Sequence, residues 1–220
     1  MASGLIVRNA RRPVPFSVAM ASPARSFDLD RSAVHLCIDM QCLFAEETPW
    51  QVPWLPRVLP GVLEIARRHT ARTIFTRFIP PEHPEEAAGA WRNYWERWRQ
   101  LTRGQIDPRL LDLVPPLAAL TPPAMVVDKS VNSALGRPGF SRALKARGIA
   151  TLIVTGGETD VCVLATVMAA VDHGFRVVLP VDALCSTSDD THDALIRLYR
   201  ARFSQQIEAT DTEDVLRRWS

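Results

Sequence analysis

The sequence predicts a single doubly wound α/β domain, with a mainly parallel sheet of about six strands and helices on both faces. Three observations lead there. Continuously apolar runs of strand length recur along the chain, stretches of helical length separate them, and several runs end on a charged residue or a glycine pair. Strands buried on both faces read as unbroken apolar runs, and strand–helix alternation builds parallel crossovers. A length of 220 residues suits one domain, and 47% hydrophobic with 23% charged residues excludes wholesale disorder.

Residues 1–31 carry scattered Pro, Arg and Ser and read as an N-terminal arm, leaving 32–220 as the folded domain. The first buried strand is Ala33-Val34-His35-Leu36-Cys37-Ile38, ending on Asp39. Pro53, Pro56 and Pro60 predict an irregular connection over 48–59, followed by a helix over 61–69. A second strand over 72–78 stops before Pro80-Pro81. Residues 85–102 read as one helix, on which Trp91, Trp95 and Trp98 share a face. That face is expected to pack on the body or on a partner subunit, with a pocket-lining role as the alternative.

A third strand over 124–128 leads into Lys129. A helix over 140–147 is closed by Gly148, and a fourth strand over 151–155 runs into Gly156-Gly157. Next come an apolar helix over 161–173, a fifth strand over 176–181, a helix over 189–202, a short strand over 206–208 and a helix over 212–219.

Twenty-six basic against 24 acidic residues leave a charge of +2, without the basic surplus of a dedicated nucleic-acid binder. No apolar run is long enough to span a bilayer, and the first twelve residues lack the apolar core of a signal peptide, so the expected location is cytoplasmic. Cys37, Cys42, Cys162 and Cys185 form no CxxC pair and no zinc spacing, which points to free thiols.

Sites in parallel sheets lie beyond the carboxyl ends of the strands. That rule selects Asp39, Lys129 and the turn at Cys162: a carboxylate, an ammonium and a thiol. A thiolate is the reactive form of cysteine, a nearby cation lowers its pKa, and a carboxylate can take the thiol proton. Gly156-Gly157 permit a tight turn, and Thr159 or Asp160 suits the cap of a helix with Cys162 in its first turn. Structural readings stand beside these. Cys37 reads as core, Cys42 and Cys185 as packing, and a lone Asp39 or Lys129 as a paired or solvated residue.

Ile38-Asp39-Met40-Gln41 with Phe44, Asp128-Lys129, and Gly156-Gly157-Glu158-Thr159-Asp160-Val161-Cys162-Val163 together resemble the isochorismatase-like cysteine hydrolase family. The resemblance implies a catalytic Asp39, Lys129 and Cys162, with the cysteine attacking an amide-like carbonyl to form an acyl-enzyme. It also implies a cis Gly157–Glu158 bond that turns the amides of Glu158 and Cys162 toward the oxyanion, and a homo-oligomer, dimer or tetramer. Nicotinamidase-type relatives carry an Asp/His metal cluster after the second strand, where this chain has only the adjacent Glu82 and His83; no metal and no cofactor are expected. For a small-molecule substrate, Gln41 and Phe44, Arg77 as a fork for a carboxylate, and Trp91 and Trp95 as an apolar wall are the candidate contacts. Pairing of Arg77 with Glu46, Glu47 or Glu82 is the structural alternative. The reaction expected is hydrolysis of a small amide or N-carbamoyl compound. Vinyl ether hydrolysis that does not need the thiol, or a non-catalytic oligomer, are the competing readings.

Overall fold

The computed structural model describes residues 29–219. The arm expected over 1–31 therefore lies outside the described residues except for its last three, of which Leu29 is buried against Ala33, Ile65 and Trp219.

Seven strands form one parallel sheet. They are β1 (Ala33–Ile38), β2 (Thr73–Phe78), β3 (Met125–Lys129), β4 (Thr151–Gly157), β5 (Arg176–Pro180), β6 (Leu184–Cys185) and β7 (Ile207–Thr210). Their order is β3-β2-β1-β4-β5-β7, with β6 paired to the end of β4. Every pairing is parallel, as unbroken apolar strands demand. Strand alternation divides the core. Val34, Leu36, Ile38, Leu152 and Val154 face one layer of side chains, while Cys37, Phe75 and Ile153 face the other. The first face is covered by α5 (Phe140–Ala146), α6 (Leu164–Asp172) and α7 (Asp189–Arg202); the second by α1 (Cys42–Ala45), α2 (Leu55–Arg68), α4 (Pro115–Ala118) and α8 (Thr212–Arg218). The doubly wound arrangement is the one the sequence predicts. α3 (Ala90–Arg97) stands apart, over the carboxyl end of β2.

β6 has no counterpart in the sequence reading, and two stretches before β3 differ from expectation. The connection predicted over 48–59 is half helix, because α2 begins at Leu55. Pro56 occupies the first turn, where no intrahelical donor is needed, and Pro60 forgoes one bond inside a helix whose Val58, Val62, Ile65 and Ala66 are buried. The helix predicted over 85–102 is broken by Gly89, whose φ of 58° lies in the left-handed region; only Ala90–Arg97 is α-helical, between two 3-10 turns.

One buried polar group stands out in the middle of β1. His35 is fully enclosed, with Nδ1 3.2 Å from Thr73 Oγ1 and Nε2 2.7 Å from Thr155 Oγ1. Thr73 donates its own proton to the His69 carbonyl, so the ring donates from Nδ1 and accepts at Nε2. Burial, aided by His69, pushes the His35 pKa down from 6.5 to about 3. Below pH 6.5 the unfolded chain thus takes up a proton that the folded chain refuses down to about pH 3. Stability from the neutral ring is complete above that window and lost as pH falls through it. We expect the wild-type unfolding free energy from urea titrations to fall more steeply from about pH 6 to 4 than that of His35→Asn, by a difference approaching roughly 1.4 kcal/mol per pH unit. Parallel slopes would show that His35 is not the refused proton site.

Candidate active site

The strand order reverses between β1 and β4, which lie side by side at the centre of the sheet. The crevice beyond their carboxyl ends is the topological switch point. The two strands meet tightly there. A Cβ on Gly156, whose φ is 96°, would stand 2.2 Å from the Ile38 carbonyl oxygen, so only glycine fits. Asp39 follows Ile38 with a φ of 50°, a region that Asp and Asn enter more readily than most residues.

Thr76 of β2 clasps that turn from both ends. Its hydroxyl accepts from the Asp39 amide at 3.1 Å and donates to Asp39 Oδ1 at 2.6 Å. Asp39 Oδ2 then lies 2.6 Å from Lys129 Nζ as an ion pair, with no other donor upon it. Lys129 comes from the end of β3, so its side chain crosses over β2 to reach the switch point, its ammonium 4.9 Å from the Phe78 ring centre. Nζ also donates to the Val131 carbonyl at 3.2 Å and to Cys162 Sγ at 3.5 Å. All three protons of the ammonium have acceptors. Acid, ammonium and thiol from three separate parts of the chain thus converge, as the strand-end rule predicts.

Electrostatics depart from the expectation of a primed thiolate. Burial pushes the Cys162 thiol up, the adjacent Asp39 carboxylate adds to this, and Lys129 only partly opposes it. Burial works against the Lys129 ammonium, but Asp39 and Cys162 raise its pKa beyond the ordinary lysine value. The resting cluster is therefore an ion pair beside a neutral thiol. Nor is Cys162 in the first turn of a regular helix. It sits in a π-type turn over Thr159–Val163 that precedes α6.

The Gly157–Glu158 bond is cis. Thr159 and Asp160, expected as helix caps, instead tie the turn to the segment after β6. Thr159 Oγ1 donates to the Cys185 carbonyl at 3.1 Å and lies 2.9 Å from His192 Nδ1. Asp160 accepts from Ser186 at 2.7 Å and Thr191 at 2.6 Å, and Glu158 accepts from the Thr187 hydroxyl at 2.8 Å. Thr76, His192 and these hydroxyls went unread in the sequence. Strand alternation marks Thr76, because it shares a face with Phe78; the loop residues carry no periodic signal.

The expected substrate contacts divide. Trp91 and Trp95 line a cavity of about 790 Å³ whose floor includes Lys129. Trp95 is buried within its own chain, against Trp50 and Phe78, so of the two packings expected for this face it takes the one on the body. Phe44 stacks on Trp50 at 6.1 Å and supports that aromatic wall from behind. Gln41 is fully buried, and its amide is consumed by backbone: it donates to the Leu111 and Phe78 carbonyls and accepts from the Phe78 amide. It holds the site together and offers nothing to a ligand. Arg77 points to the other side of β2, where its fork grips both oxygens of Asp128 and also reaches Asp112. It is therefore not a substrate fork, and its partners are not the glutamates considered from sequence. Tyr94 lies near Cys162 and Glu158; burial, followed by those two groups, raises its phenol to about 12.

The residues after β2 do not fit a metal. Glu82 lies 3.7 Å from Arg103, His83 packs by Gly104, and no group of three His, Cys, Asp or Glu side chains is assembled for an ion among the described residues.

A parallel sheet carrying an acid, an ammonium and a thiol at its switch point is the framework of an isochorismatase-like hydrolase. The chain belongs to the isochorismatase family, whose Isochorismatase domain model matches residues 33–211. It is similar to Nicotinamidase 3 of Arabidopsis thaliana, with 27% identity covering 74% of this chain and 78% of that protein. Maleamate amidohydrolase of Pseudomonas putida is 23% identical, covering 71% of this chain and 72% of that protein. In solved structures the fold recurs in a cysteine hydrolase from Pseudomonas syringae pv. phaseolicola, with a TM-score of 0.77 at 22% identity over 90% of this chain and 98% of that one.

Two outcomes test the cluster. Asp39→Asn, which tolerates the same backbone angle, removes the charge that raises the thiol, so iodoacetamide should alkylate Cys162 faster than in wild type at about pH 8. Slower or equal labelling would contradict the electrostatic effect of Asp39 on the resting thiol. Lys129→Met strands a buried carboxylate and should cost about 3–5 kcal/mol in urea unfolding, whereas Asp39→Asn with Lys129→Met should restore most of it. An equal loss in the double variant would show that packing, not charge, is what Lys129 contributes.

Proposed function

We propose that the protein is a cysteine amidohydrolase that cleaves a small amide or N-carbamoyl compound through a covalent intermediate on Cys162, without a metal or cofactor. The observation that supports this most is the 3.5 Å approach of Lys129 Nζ to Cys162 Sγ, with Asp39 on the same ammonium at 2.6 Å. Asp39 takes the thiol proton as Sγ bonds to the substrate carbonyl carbon. Lys129 holds the sulfur and the carboxylate in register as negative charge moves onto sulfur. Amides of Glu158 and Cys162 receive the oxyanion at the turn after the cis bond. The carbon–nitrogen bond then breaks, the proton on Asp39 passes to the departing nitrogen, and a thioester remains. Water attacks that thioester while Asp39 accepts its proton, and the returning thiolate is reprotonated as the acid leaves.

A raised thiol pKa means that the resting sulfur keeps its proton and needs a base as it attacks, the part Asp39 takes in this reading. Relatives with amidohydrolase and nicotinamidase names support carbon–nitrogen cleavage as the class of reaction. Free thiols at all four cysteines suit a reducing compartment such as the cytoplasm, and among the described residues no helix is long and apolar enough to cross a membrane. Met125 and Val126, exposed on edge strand β3, suit burial in a homo-oligomer.

Cys162→Ala should abolish ammonia release from a panel of primary amides and carbamoyl compounds, by at least about a thousandfold, with an unchanged urea midpoint. Turnover near wild type in a folded variant would reject the nucleophile and favour vinyl ether chemistry, which does not need the thiol.

A further inference from the structure

The cavity above Lys129 holds a cation that no carboxylate among the described residues neutralises. Its walls are mostly apolar, from Ile79, Pro80, Trp91, Trp95, Val131 and Pro138. Four other wall residues carry a charge besides Lys129, which Asp39 already pairs. Asp128 is gripped by the fork of Arg77. Arg103 lies 3.7 Å from Glu82. Glu86, the one carboxylate of the wall outside the described ion pairs, accepts from the Glu82 amide at 3.1 Å, so the contrast that matters is among the cations. Arg137 is different: its described bond runs from Nη1 to the Asp128 backbone carbonyl at 2.9 Å, and no carboxylate among the described residues pairs with it.

That bond aims the guanidinium. Arg137 ends a 3-10 turn with ψ of 123°, the extended backbone that a following proline, Pro138, favours. It is moored to the residue immediately before Lys129, whose ammonium touches Cys162. Arg137 and Lys129 line the same cavity, so a small molecule held there can meet the guanidinium at one end and the ammonium beside the sulfur at the other. A guanidinium with its fork largely free, beside an apolar wall, matches a planar carboxylate better than any neutral group.

We infer that Arg137 is the specificity determinant of this site and that the substrate carries a carboxylate at the end opposite its scissile amide or carbamoyl group. The inference rests on Cys162 being the amide-cleaving residue. It also relocates the carboxylate fork expected at Arg77 to a residue in the loop after β3.

Matched probes test it: succinamic and phthalamic acids against the methyl ester of each. Binding is read first, by quenching of Trp91 and Trp95 fluorescence in full-length Cys162→Ala, so that the result does not depend on turnover. Kinetics follow in wild type, by ammonia release. Tighter binding of the acids by about 10- to 100-fold at low salt is expected, with most of that preference removed by Arg137→Gln and partly kept by Arg137→Lys. In kinetics the lost preference should fall on KM more than on kcat. Equal binding of acid and ester, including no binding of either, would overturn the carboxylate assignment. A preference that survives Arg137→Gln would overturn the residue. Acid-selective binding with wild-type turnover in Cys162→Ala would instead reject the cysteine reading and leave the carboxylate assignment standing.

Discussion

A buried ion pair between Asp39 and Lys129 is the constraint around which the candidate site is built. Both side chains are almost wholly removed from water, and neither charge is tolerable there alone. The arrangement compensates for that burial completely on the lysine side, with acceptors from Asp39, Val131 and Cys162. On the aspartate side, Thr76 satisfies one oxygen and the ammonium the other. Cys162 therefore meets a pair whose charges already cancel, and burial keeps its proton in place. Reactivity in such a cluster comes from where the proton can go, not from a stored thiolate.

Sheet topology explains why three distant residues can meet. Asp39 and the Cys162 turn leave adjacent central strands in opposite directions, which opens a crevice between them. Lys129 starts two strands away and needs the longest unbranched side chain available to arrive. The turn bearing Cys162 is held from its far side by Ser186, Thr187, Thr191 and His192, so the end of β6 and the start of α7 act as its buttress. The aromatic block around Trp50 closes the near side and supplies the cavity wall.

Much of this was legible in the sequence because it depends on periodicity and on strand ends. Apolar runs located β1 to β5, and the strand-end rule located Asp39, Lys129 and Cys162. Side chains that depend on which face a strand presents were less legible. Arg77 was expected at the site, yet Thr76 and Phe78 share that face, and period-two alternation puts Arg77 behind it. Gln41 is polar and adjacent to Asp39, so it resembles a ligand contact until its amide is seen to be spent on Leu111 and Phe78. Pro56 and Pro60 suggested a break, but burial of one face of α2 outweighs a single lost hydrogen bond. Arg137 sits in a loop after a 3-10 turn, where no spacing rule reaches; what marks it is its place in the wall of the cavity above Lys129, with no carboxylate at ion-pair distance among the described residues.

The most direct test of a neutral thiol beside a buried ion pair is the ultraviolet thiolate absorbance of the resting protein, wild type minus Cys162→Ser, followed from about pH 6 to 10. A difference that stays flat to about pH 9 is the expected result, because burial and Asp39 hold the proton on sulfur. A thiolate step centred below about pH 7.5 would contradict it, and would mean that Lys129 dominates over Asp39 and that the nucleophile is present before any substrate binds.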